Sequence, residues 1–158
     1  VIILLMLKRI KDILGIEGVK IELLLDESYS LSDDSIQGAI RISSQNEKLV
    51  QSIHLRIIEK YRRGRGDAKL IDEYILGELD LVLDIMMQRD EERVIPFELP
   101  FEFIKSEMDM AERKLLARPW VMLAKKLKNV KSTFRVEATA YINGTRLHPI
   151  DKKEIVFK

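Results

Sequence analysis

The chain has no cysteine among its 158 residues. That excludes disulfides, thiolate metal sites and cysteine nucleophiles, and it fits a reducing interior. Histidine is nearly as scarce, with only His54 and His148. Zinc takes three or four protein ligands, so histidine alone cannot build a site. Net charge is +1, which gives the whole chain no pull toward nucleic acid or anionic membrane. The longest apolar opening, Val1 to Leu7, meets Lys8, Arg9 and Lys11 too soon to span a bilayer. Its charges follow the apolar run and no small-residue cleavage site is present, so a signal peptide is not expected and Met6 fits a natural start. A G-x-S-x-G elbow, a phosphate-cradling glycine loop and a dinucleotide fingerprint are all missing. We therefore expect no enzyme, no cofactor and no metal, and a cytoplasmic location.

What is present is patterned for an ordered domain. The chain is 46% hydrophobic and 34% charged, and its length suits one domain with a proper core. Phe134, Val136, Ala138, Ala140 and Ile142 alternate with Thr133, Arg135, Glu137, Thr139 and Tyr141, the mark of a half-buried strand. Asn143-Gly144 ends that strand and favours a tight hairpin through Thr145 to Leu147. Similar alternation predicts strands over Val19 to Leu25, Ile36 to Ile42 and Ile53 to Tyr61. Leu70 to Leu76 and Leu79 to Met87 read as two strands separated at Gly77, a bulge or bend. Ile95 to Phe103 carries Pro96 and Pro100, which cannot donate to a ladder, so it reads as an edge strand or an extended segment. A turn at Asp151 to Lys153 and a last strand to Lys158 close the chain.

Two stretches read as helix. Leu4, Leu7, Ile10 and Leu14 recur at near-helical spacing, interrupted by Lys8, Lys11 and Asp12 and ended by Gly15. Between Asp109 and Val130, Leu116, Trp120, Leu123 and Leu127 recur at spacings of four and three, with Asp109 and Glu112 at capping-box spacing. Many short strands with one helical excursion point to an all-β antiparallel sandwich. The expected layout is an amphipathic segment over 1–18 and one sandwich domain over 19–158, with a helical insertion at about 109–130.

The order of these signals resembles arrestin-like domains. Val19 to Leu23 (VKIEL), Ile36 to Ile40 (IQGAI) and Ile53 to Ile57 (IHLRI) are similar to their opening strands. Ile95 to Phe101 (IPFELPF) is similar to the I-P-F-x-L-P segment of the bacterial sporulation-control branch, of stage-zero M type. Pro149 to Ile155 (PIDKKEI) resembles the end of the first domain in that branch. The resemblance implies an immunoglobulin-like sandwich of arrestin N-terminal-domain type, and a scaffold, adaptor or regulatory role without catalysis. Arrestin-like proteins usually pair two such domains, whereas this chain has length for one.

The candidate contact residues fall into three groups. Tyr61, Arg62, Arg63 and Arg65 precede Gly66-Asp67 in a basic loop, where arginine forks match phosphate geometry; a solvated hairpin tip is the plainer explanation. Ile95 and Phe97 lie on the proline-bearing strand, where a partner could add a strand at the open edge of that segment or of its neighbour. Trp120 with Lys125, Lys126 and Lys128 forms an amphipathic helix face, either docking a partner or covering the sandwich. Asp72, Glu73, Glu78, Asp80 and Asp84 fit the outward face of strands without a catalytic pair. The expected activity is protein binding, with a homodimer as one form and no nucleic acid. The alternative is a peripheral membrane or anionic-ligand module using the N-terminal helix and the lysine cluster.

Overall fold

A computed structural model describes residues 6–7, 18–64, 66–103 and 131–158. The described chain is all-β apart from residues 6–7 and one 3-10 turn at Gly66–Ala68. Its strands are β1 (Val19–Leu24), β2 (Ser28–Tyr29), β3 (Ser35–Ser44), β4 (Lys48–Arg63), β5 (Leu70–Met87), β6 (Glu91–Pro100), β7 (Lys131–Ile142) and β8 (Ile150–Phe157). They form a three-stranded sheet, β1-β3-β6, and a five-stranded sheet, β2-β8-β7-β4-β5. All pairings are antiparallel except the short β2–β8 contact.

Alternation explains the layering. Ile36, Ile40 and Ile42 of β3 and Ile53, Leu55 and Ile57 of β4 are fully buried, while their neighbours in sequence face outward. One buried cluster draws on both sheets, so the sheets form two layers around a shared core. Each such side chain contributes about 1.5–3 kcal/mol on burial. Phe101, Phe103, Phe134 and Phe157 close one end, with ring centroids 5.0–6.0 Å apart and mostly edge-to-face.

The structure corrects three expectations. The strands expected on either side of Gly77 are one 18-residue strand, β5. Its register against β4 skips Leu76, which sits as an extra residue between Ile57↔Gly77 and Ile58↔Ile75. A bulge shifts the alternation by one position, and the sequence shows that phase break as a boundary. Gly77 is required there because a Cβ would run into the Pro100 carbonyl oxygen. A second bulge sets Leu83 and Asp84 against Gln51, with Asp84 at φ 47°. Secondly, Asn143-Gly144 does not make a tight hairpin: β8 starts only at Ile150, and residues 143–149 form a wider loop. There Ile142 N–H donates to His148 Nδ1 (3.3 Å) and Ala140 N–H to the Pro149 carbonyl (3.0 Å). Thirdly, Asp151 to Lys153 is strand rather than turn, paired with Ala138, Glu137 and Val136. The amphipathic segment over 1–18, apart from residues 6, 7 and 18, and the insertion at 109–130 lie outside the described residues.

Candidate functional site

Three surface features stand out, and the first is an ion network across the outer face of the larger sheet. Register brings Arg56 of β4 beside Glu137 of β7, and Glu137 beside Lys152 of β8. Arg135 forks onto Glu73 (Nη1–Oε1 2.9 Å, Nη2–Oε2 3.0 Å) and donates from Nε to Glu137 Oε1 (2.8 Å). Glu137 also accepts from Arg56 Nη2 (2.9 Å) and pairs with Lys152 Nζ (3.0 Å). Its side chain is only 7% exposed. Burial pushes its carboxyl upward, but hydrogen bonds from Arg135 and Lys152 outweigh that and bring it down to about 2. Hydrogen bonds to Glu73 raise Arg135, and the same contact lowers Glu73. Ile58 lies buried on this outer face, paired with Arg135 and outside the main core cluster. The network thus covers an apolar side chain and holds its carboxylates charged. A general acid needs the opposite shift.

The second feature is the β4–β5 tip. Tyr61 and Arg62 are half-buried and Arg63 is exposed, at the end of β4. Tyr61 pairs with Asp72 and Ser132, and Arg62 with Ile71 and Lys131. Strand alternation places Arg62 on the face opposite Tyr61 and Arg63, so the three do not converge on one ligand. Arg65 is outside the described residues, as are Trp120, Lys125, Lys126 and Lys128.

The third feature is the side of the molecule formed by β5 and β6, which end the two sheets. On β6, Phe97 is 6% exposed and Ile95 packs against the core, so their side chains serve the interior. Only main chain and the outward residues remain for a partner. Outside the ladder, one main-chain bond reaches β5 among the described residues: Glu102 N–H donates to the Leu76 carbonyl (3.0 Å). Its outer face carries Glu78 and Asp80 around His54, with Nδ1 2.6 Å from Asp80 and Nε2 3.6 Å from Glu78. Exposed apolar residues are concentrated on the same strand: Leu70, Ile71, Tyr74, Ile75, Met86 and Val82, the last 77% exposed. Sequence reasoning placed the open edge at the proline-bearing strand or its neighbour and did not single out β5. The available signal was a long proline-free strand pattern whose charged residues are all acidic.

A polar hollow of about 410 Å³ lies beside β2, lined by Asp26, Tyr29, Asp33, Asp34 and Gln37. Its groups serve local turns: Tyr29 OH donates to the Gln37 carbonyl (3.0 Å), and Asp33 Oδ2 accepts from Ser30 N–H (3.1 Å). It lacks the apolar lining of a small-molecule site. Among the described residues, no three histidine or carboxylate side chains are placed to hold one metal ion, and no helix is long and apolar enough to cross a membrane.

Comparison with curated proteins finds no match. Among solved structures, the fold is similar to the crystal structure of Spo0M, the sporulation control protein of Bacillus subtilis. The TM-score is 0.61 at 14% identity, over 89% of this chain and 49% of that one. The chain therefore spans about half the length of that solved protein, and at this identity the likeness speaks for the fold alone. The model of the SpoOM protein family matches residues 7–112, which takes in β1 through β6 and the proline-bearing segment. The chain belongs to the SpoOM protein family.

Proposed function

We propose that this chain is a non-catalytic regulatory or adaptor domain of sporulation-control type, acting in the cytoplasm by binding another protein. Its two layers are read as an arrestin-like, immunoglobulin-like sandwich. The observation that carries the reading is the β5–β6 side, where both sheets end in strands of ten or more residues with no further strand beside them among the described residues. Strand addition there would supply main-chain hydrogen bonds, and neighbouring side chains would supply selectivity. A second copy pairing edge to edge about a two-fold axis is one form such a partner takes. Family membership supports the regulatory role.

Amide hydrogen exchange of the chain with and without partner captured from a sporulating lysate tests this. Added protection confined to β5 or β6 is the expected result. Protection elsewhere, with both edges unchanged, contradicts it. The alternative, a peripheral membrane or anionic-ligand module, predicts sedimentation with anionic vesicles that is lost steeply as salt rises. Edge pairing predicts association with protein and none with vesicles.

A further inference from the structure

Resting on that edge reading, we propose that β5 between Gly77 and Val82 is the docking edge, and that its partner is an extended segment alternating basic with apolar side chains. Four strands end the two sheets, and three are poor templates. On β1, the Leu23 amide is already taken by Asp151 Oδ2 (2.7 Å). Strand β2 has two residues. Pro96 and Pro100 remove two amides from β6. Strand β5 has eighteen residues and no proline. Its stretch from Gly77 to Val82 pairs with β4 in unbroken register, from Ile57↔Gly77 to Ser52↔Val82, between the two bulges.

The side chains of that stretch define the occupant. Leu79 and Leu81 are half-buried at the rim of the core. Glu78, Asp80 and Val82 point to the other face by alternation. A strand laid beside them would place apolar side chains next to Leu79 and Leu81 and cationic ones next to Glu78 and Asp80. Beyond that stretch β5 adds Asp72, Glu73 and Asp84 and no basic residue; Glu73 is held by Arg135, and His54 stands between Glu78 and Asp80. The same charges argue against a second copy here, because β5 against β5 would set carboxylates opposite carboxylates. The acidic edge therefore discourages self-pairing and favours a basic strand.

The test is an NMR titration of the full chain with the blocked peptide Lys-Val-Lys-Val-Lys-Val-Lys and with its glutamate counterpart. The basic peptide should shift the amides of Gly77 to Val82 and the acidic one should not. The exposed charge reversal Glu78→Lys with Asp80→Lys should weaken the basic peptide roughly tenfold and let the acidic one bind. A thermal melt confirms that the variant is folded. Shifts on β1 or β6 instead overturn the β5 assignment while leaving edge recognition standing. Unchanged affinity on charge reversal, or no binding by the basic peptide, overturns it as well. A concentration-dependent dimer protecting these same amides assigns the edge to a second copy and contradicts the proposal. Failure of the broader edge reading is separately visible, as partner protection away from both β5 and β6.

Discussion

The β1–β8 side ties the two layers together along its length, whereas among the described residues the β5–β6 side is tied only at its ends. On the first, the Leu23 amide reaches across to Asp151. The chain after β1 then crosses to pair with β8: Val156 N–H donates to Glu27, Lys158 N–H to Tyr29, and Leu31 N–H to Lys158. Tyr29 adds its hydroxyl, donating to Gln37 and accepting from the Asp26 amide. On the second side, the turn at Gln88 to Glu91 joins the layers at one end, and Glu102 reaches Leu76 at the other. Between those points the two edges carry acidic and apolar side chains and one arginine, Arg93, which pairs with Glu91. One side spends its polar groups on the fold. The other keeps main chain in reserve.

The largest expected effect removes the tie at the end of the open side. Gly77→Val forces a side chain into the Pro100 carbonyl, which is backbone and cannot step aside. A loss of about 3 kcal/mol is expected by urea unfolding, with the m-value unchanged. Acid gives the next effect. The folded Glu137 carboxyl, at about 2, lies below its ordinary 4.5, so the unfolded chain takes up the proton first. Its stabilisation is full above about 4.5 and is lost as pH falls toward about 2. The wild type should lose about 2 kcal/mol over that window, and Glu137→Gln should flatten the slope. On the closed side, Asp151→Ala strands the Leu23 amide and should cost about 1 kcal/mol. Last, Asp84→Gly relieves a positive φ at the second bulge and should gain about 0.5 kcal/mol in thermal melts.

Most strands were legible because each buries one face, and alternation records that directly. Ile36 to Ile42 and Phe134 to Ile142 show it without interruption. Strand β5 was misread because the bulge at Leu76 breaks the phase, and nothing local says that the chain continues. Strand β2 escaped notice because its two residues gain their pairing only from β8, more than a hundred positions away. Asn143-Gly144 carries a turn signal, but the loop's width is set by contacts with His148 and Pro149. The prolines of β6 marked an edge correctly. The ion network was invisible, since Glu73, Arg135 and Lys152 become neighbours only through register. The candidate loop residues Tyr61 and Arg62 were adjacent in sequence, but the strand turns them to opposite faces.

Residue-resolved amide exchange on the free chain bears most directly on the difference between the two sides. Slow exchange is expected at Leu23, whose amide is held by Asp151, and fast exchange at alternate amides from Gly77 to Val82. If those β5 amides exchange as slowly as the amides of β4, the edge is already covered, and a docking role for it is contradicted.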